Sequence, residues 1–184
     1  MMFTLFIDTH FKDVIISLYK NQNLLDFIIE KNVNNTSQVT MPIIEKILER
    51  NNCNKKDLNR IVVCIGPGSF TGVRVGVTIA KLLSYLLNIP IYTITSLELA
   101  ALYDNYNHEE YGIIENNGIF KAKFKNKKII GSIQYEKTQN IPENIFINSN
   151  IDLSKLLVNF SILKKSSSFL VNPLYIKELN INKK

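Results

Sequence analysis

Glycine is scarce in this chain of 184 residues, at only 7. Four of the seven, Gly66, Gly68, Gly72 and Gly76, fall in one short stretch. Glycine is used where the backbone needs positive φ or where another group must come very close. Such concentration in a glycine-poor chain marks a turn of special geometry. Cysteine occurs twice, which argues against a disulfide framework or a zinc cluster. Cys53 sits in a polar turn, and Cys64, inside an apolar run, is expected to be a small core residue. The two histidines, His10 and His108, have no partner at a recognisable spacing, so exposed or capping roles are expected rather than catalysis. No window combines a basic n-region with a clean apolar stretch, or runs to the roughly 18 uninterrupted apolar residues of a membrane span. A soluble cytoplasmic protein is expected, with no membrane partner.

The length fits one domain or two small lobes, and 46% hydrophobic residues suffice to bury a core. The net charge of +6 is unevenly placed. Residues 1–110 hold 10 Lys and Arg against 11 Asp and Glu, and residues 111–184 hold 12 against 5. The basic half admits two readings, a surface facing phosphate or lysine-rich solubility, since arginine is confined to Arg50, Arg60 and Arg74. The change of sign at residues 105–110 places a lobe boundary there, giving 1–107 and 108–184.

Phe3 to Ile7, Asp13 to Tyr19 and Leu24 to Ile29 are β-rich runs separated by short turns, which predicts an antiparallel meander. Thr36-Ser37 offers a cap to a helix carrying Ile43, Ile44, Ile47 and Leu48 at helical spacing, with Pro42 in an early turn and a stop at Asn51-Asn52. Arg60 to Ile65 is a continuous β-branched run, as in a strand buried on both faces. After the glycine turn, Thr71 to Leu87 is helical, Thr71 is expected as its N-cap, and Pro90 follows its end. Its apolar positions cover an arc of roughly 220°, where a surface helix needs only about 100°. Arg74, Thr78, Lys81 and Tyr85 form the polar strip. Gly72, Gly76, Ala80 and Ser84 add a line of small residues at spacing four. Two readings stand: dense packing within the lobe, or an interface with another chain. Ile89 to Ile94 is a strand, and Thr95-Ser96-Leu97-Glu98 reads as a capping box opening a helix to Tyr106. Beyond it, Tyr111–Glu115, Ile119–Phe124 and Ile129–Tyr135 read as strands joined by Asn-Gly and Asn-Lys turns. Ile151–Phe160 reads as a helix and Pro173 to Lys177 as a terminal segment.

A glycine turn between a buried strand and a helix is a common phosphate site, so its spacing decides. After Gly72 come Val73-Arg74, which lack the Lys and Ser/Thr of a Walker A loop, and Gly72 stands one residue too late for G-x-G-x-x-G. Gly68-Ser69-Phe70 does not match a G-x-S-x-G nucleophile elbow. Asp8 is expected to form a turn. Arg74 either tethers the glycine turn or contacts a partner.

The order β-β-β-α-β-α-β-α, with an Asp ending the first strand, resembles the actin-like sugar kinase and Hsp70 ATPase (ASKHA) superfamily, an α/β fold. Active members place a glycine shortly after this Asp; here Asp8-Thr9-His10 follows. More specifically, Gly66-Pro67-Gly68-Ser69-Phe70-Thr71-Gly72-Val73-Arg74, the helix continuing Val75-Gly76-Val77, and Thr95 to Glu98 resemble the bacterial TsaB (YeaZ) family. The resemblance covers about residues 1–107, and the second lobe is shorter than the family leads one to expect. It places Lys177 where Arg is usual and Thr36 where His is common. It implies a non-catalytic paralogue of TsaD that supports threonylcarbamoyl modification of adenosine in tRNA. The implied partners are TsaD as a heterodimer, TsaE, and tRNA through the complex, with a homodimer possible in isolation. No metal and no cofactor are expected on this chain, ATP being used by the complex. The motif turn is Gly66, Pro67, Gly68, Ser69, Thr71, Gly72 and Arg74. The expected docking face is Ile43 and Ile47 of the first helix with Val75, Gly76, Ile79, Leu82 and Leu86 of the next. The rival readings are an active kinase or ATPase of the same superfold and an RNA-binding module built on the basic lobe.

Overall fold

The computed structural model describes residues 1–115, 118–138, 140, 145–147 and 151–176; the expected role of Lys177 lies outside them. The three opening runs form strands β1 (Phe3–Asp8), β2 (Val14–Lys20) and β3 (Asn23–Glu30), paired antiparallel in sequence order. Strand β4 (Leu58–Cys64) lies parallel to β1, with Ile7 opposite Val63, and β5 (Ile91–Ile94) lies parallel to β4. A short strand β9 (Lys164–Ser166) returns antiparallel to β5, which completes the order β3-β2-β1-β4-β5-β9.

Strand alternation feeds two cores. Leu5, Ile7, Ile61 and Val63 point to one face, where they meet Ile44 and Ile47 of α1 (Thr36–Arg50) and Val73, Val77 and Ala80 of α2 (Phe70–Leu87). Phe6, Val62 and Cys64 point to the other, against Leu99 and Leu102 of α3 (Ser96–Tyr103) and Leu156 and Leu157 of α4 (Lys155–Val158). All eight residues of α3 are buried. The reason is a second sheet, β6 (Glu110–Glu115), β7 (Gly118–Lys125) and β8 (Lys128–Glu136), whose Tyr111, Ile113 and Phe120 cover Leu97, Ala100 and Ala101 on the opposite side of α3. The break expected at 107/108 falls between α3 and this sheet, yet β9 and Val171 rejoin the first sheet and its core.

Several expected boundaries move for local reasons. Asn35, not Thr36-Ser37, is the N-cap of α1; the Thr36 carbonyl already accepts the Thr40 hydroxyl at 2.7 Å inside the first turn. The expected helix over 151–160 shrinks to Lys155–Val158, because the Asp152 carboxylate takes the Ser154 hydroxyl at 2.6 Å in a preceding turn and the Asn159 amide closes on the Lys155 carbonyl at 2.8 Å. The capping box of α3 is formed: Glu98 N donates to the Thr95 hydroxyl at 3.1 Å and Thr95 N to Glu98 Oε2 at 2.9 Å. The Asn-Lys turn between β7 and β8 has positive φ at both Asn126 and Lys127, as a type I′ hairpin requires. Helix α2 is long and apolar enough to cross a membrane by length and composition, but its inner face is part of the first core.

Candidate functional site

The glycine turn leaves the C-terminal end of β4 and runs into α2. Its Gly66 has φ of 89°, a conformation side chains other than glycine rarely adopt. The Gly66–Pro67 bond is cis. A Cβ on Gly68 would stand closer than 3.0 Å to the carbonyl oxygen of His10, and one on Gly72 closer than that to the carbonyl oxygen of Thr9. These two glycines are therefore packed closely against the chain's own loop after β1. The turn's polar groups are engaged in the same way. Ser69 N donates to the His10 carbonyl at 2.7 Å, the Thr9 hydroxyl to the Gly72 carbonyl at 2.7 Å, and Ser96 N and Oγ to the carbonyls of Gly66 and Pro67 at 3.0 and 2.6 Å.

The N-cap of α2 is Ser69, whose hydroxyl accepts from Gly72 N at 3.2 Å. The expectation for Thr71 is corrected: α2 begins at Phe70, so Thr71 lies inside its first turn and is exposed. Arg74 is tethered. Its Nε donates to the Tyr175 hydroxyl at 2.6 Å and its guanidinium lies 3.9 Å from the centre of the Phe70 ring. Tyr175 as the partner of Arg74 was not legible from spacing, since 101 residues separate them.

The expected docking residues divide. Ile43, Ile47 and Gly76 are buried inside this chain, because the apolar stripe of α1 faces the sheet and Gly76 lies against the Thr9 side chain. They are not available to a partner. The small-residue line is likewise internal, with Ser84 Oγ donating to the Ile89 carbonyl at 2.6 Å. Val75 and Ile79 are half-buried, and Leu82 and Leu86 are 54% and 66% exposed. These four recur at the spacing of one helix face. Exposed Tyr85, edge-on to exposed Phe169 at 5.5 Å, and exposed Leu170 extend the apolar surface. The Phe169-Leu170 pair was the sequence signal for this extension.

The histidines are also corrected. His10 is buried, with Nδ1 2.5 Å from Asp8 Oδ1, and its Nε2 has no hydrogen-bond partner among the described residues. Asp8 does form the expected turn, accepting from His10 N at 3.1 Å. His108 Nδ1 lies 2.7 Å from Asp104 Oδ2, and its ring stacks on Phe146 at 3.9 Å. Burial works to raise the Asp104 carboxyl, but hydrogen bonds from Tyr111 and His108 outweigh it and hold the pKa below the usual range. Asp8, His10 and Cys64 each offer a ligand atom, all within 4.8 Å of one another. Burial pushes the Cys64 thiol well up, and the neighbouring Asp8 carboxylate adds to the shift.

Comparison with known proteins places this geometry. A family model described as TsaD, tRNA N6-adenosine threonylcarbamoyltransferase, matches residues 30–114. The tRNA threonylcarbamoyladenosine biosynthesis protein TsaB of Bacillus subtilis is 35% identical over 156 residues, 85% of this chain and 65% of that protein. TsaB of Buchnera aphidicola subsp. Schizaphis graminum is 34% identical over 95 residues, 52% of this chain and 45% of that one. The chain thus spans less than two thirds of the length of these relatives. The solved structure of YeaZ from Pseudomonas aeruginosa superposes with a TM-score of 0.73 at 17% identity, over 95% of this chain and 100% of that chain, which gives the fold. That fold is the expected α/β ASKHA-like one. By its glycine turn, its capping box and these likenesses, the chain belongs to the TsaB (YeaZ) family, related to TsaD.

Proposed function

We propose that this chain is a non-catalytic scaffold subunit of the cytoplasmic machinery that forms threonylcarbamoyladenosine in tRNA, binding TsaD and holding it in its active arrangement. The observation that carries this reading is the row Val75, Ile79, Leu82 and Leu86. Along α2 it leaves Leu82 and Leu86 exposed and Val75 and Ile79 partly exposed, while the opposite face of the same helix is used by the chain's own core. A helix apolar on two sides in a folded chain fits a second protein surface better than water. The name borne by the Bacillus and Buchnera relatives supplies the pathway. The glycine turn, closed by Thr9 and His10, supports a role without phosphate transfer on this chain. A standard interface on this row would bury on the order of 1,600 Å² in total. TsaE and tRNA would join through the complex, and the lobe 1–107 would carry the docking face.

Mixing purified TsaD from the same organism with this chain tests the reading by size exclusion. A stable complex is expected, lost with Val75→Asp plus Leu82→Asp, together with a fall in modified adenosine in cells carrying the double variant. No complex with the unaltered chain, or unchanged modification with the variant, overturns it. A homodimer of the isolated chain through the same row is compatible with the proposal. ATP turnover by the isolated chain would instead favour an active kinase or ATPase.

A further inference from the structure

Asp8 closes β1 and Cys64 closes β4. Because these strands are parallel neighbours with Ile7 opposite Val63, a carboxylate and a thiol emerge side by side at the same end of the sheet. His10, two residues on, folds back over them through its bonds to Asp8. All three side chains are buried, with relative exposures of 2%, 7% and 0%. A cavity of about 60 Å³ opens beside them, lined by Asp8, His10, Ser96 and Tyr103 among others and reaching Ile113 of β6. Two of its lining groups, His10 Nε2 and the Tyr103 hydroxyl, are buried polar atoms without a hydrogen-bond partner among the described residues. Buried polar groups are nearly always paired, so two orphans on one small cavity point to a missing partner.

We propose that Asp8, His10 and Cys64 bind one divalent cation of the zinc class, with a fourth position facing the cavity for water. The donor set selects the ion: one carboxylate oxygen, one imidazole nitrogen and one thiolate sulfur suit Zn²⁺, whereas Mg²⁺ and Ca²⁺ require a shell of oxygens. In a tetrahedral zinc site the ligand atoms stand about 3.3–3.8 Å apart. The observed atoms, all within 4.8 Å of one another with His10 Nδ1 at 2.5 Å from Asp8 Oδ1, reach that spacing through shifts of roughly 1 Å. The charges balance, because carboxylate and thiolate together neutralise the ion; binding releases the Cys64 thiol proton to solvent as the metal–sulfur bond forms. Bound through His10 Nδ1, the ion takes the place of the hydrogen between His10 and Asp8, and the imidazole then carries its proton on Nε2, where it can donate into the cavity. The ion pins the Thr9-His10 loop, whose carbonyls hold Ser69 N and crowd Gly68 and Gly72, so it would brace the glycine turn. This site is independent of complex formation.

Co²⁺ added to the full chain, after stripping with a chelator, tests it. One Co²⁺ per chain is expected, with a thiolate-to-metal charge-transfer band in the near ultraviolet. That band should persist in Cys53→Ser and vanish in Cys64→Ser, while His10→Gln should weaken Co²⁺ affinity about tenfold or more. Excess Mg²⁺ should not displace the ion. X-ray absorption on the unaltered chain loaded with Zn²⁺ reads the site without any variant, and one sulfur among nitrogen and oxygen neighbours is expected. A zinc shell without sulfur, no thiolate band in the unaltered chain, or a band that survives in Cys64→Ser overturns the proposal.

Discussion

The Thr9 hydroxyl donates to the Gly72 carbonyl at 2.7 Å, and the Thr9 carbonyl oxygen sits where a Cβ on residue 72 would be. The loop after β1 and the first turn of α2 are thus fitted together backbone to backbone. Gly72→Ala must push one of them away. A well-packed region resists such insertion at a cost of about 1–3 kcal/mol. Chemical denaturation should show a drop of this size. Gly131→Ala is a useful contrast for steric crowding, because nothing lies within 4 Å of its added Cβ, although φ of 78° there still disfavours a side chain.

Ile47 and Leu82 were equal candidates for a docking face, and the structure separates them. Ile47 is fully buried beneath α1 and Leu82 is 54% exposed on α2. Ile47→Asp places a carboxylate in an apolar core with no partner, and the chain should fail to fold cooperatively. Leu82→Asp should keep the thermal midpoint close to that of the unaltered chain, since surface changes usually fall within about 0.5 kcal/mol. Circular dichroism melts of the two variants check the division.

Much of the first sheet was legible because each of its elements is locally consistent. The run over β4 reads as buried on both faces, and the Thr95–Glu98 capping box announces α3. The glycine cluster was equally plain, but what its glycines face was not, because Thr9 and His10 reach it from more than fifty residues away. The same distance hid the burial of His10. His10 looks exposed in the sequence, yet Asp8 holds it from two residues away and Cys64 meets it once β1 pairs with β4. Helix α2 looked apolar on too many sides; Gly72 and Gly76 of the small-residue line proved to serve this chain's own β1 loop, and Leu82 and Leu86 face outward. The shortened α4 depended on an Asp152 turn that competes with helix formation, which apolar periodicity does not register.

Arg74 and Tyr175 are the visible bond between α2 and the segment 172–176. The hydrogen bond at 2.6 Å and the cation over Phe70 at 3.9 Å are both at the surface, where a cation–π contact is worth about 0.5–1 kcal/mol. A double-mutant cycle of Arg74→Ala and Tyr175→Phe reads the hydrogen bond and should give a coupling energy of about 0.5–1.5 kcal/mol. Arg74→Lys should recover little of it, because the guanidinium donates to Tyr175 and stacks on Phe70 at once. The cycle is read by urea denaturation of the four proteins.

Asp104 gives the second sheet a dependence on pH with a definite sign. Its carboxylate accepts from the Tyr111 hydroxyl at 2.8 Å and meets His108 at 2.7 Å. Together these bonds overcome the burial that opposes ionisation, and the folded-state pKa lies below the unfolded one. A depressed carboxyl stabilises the fold above its unfolded pKa, near 3.9, and loses that contribution as pH falls through the folded value. Tyr111 works at the opposite end. Its hydroxyl is pushed up to about 12, first by burial and then by donating to Asp104, so its contribution is complete below the ordinary value near 10 and is lost as pH rises through the folded one. Asp104→Asn should therefore cost about 1–3 kcal/mol at neutral pH, and the gap to the unaltered chain should narrow as acid neutralises Asp104. Urea midpoints measured from neutral pH down through about pH 3 decide the matter, since a gap that stays constant over that range would mean that the Asp104 carboxylate is not stabilised by His108 and Tyr111.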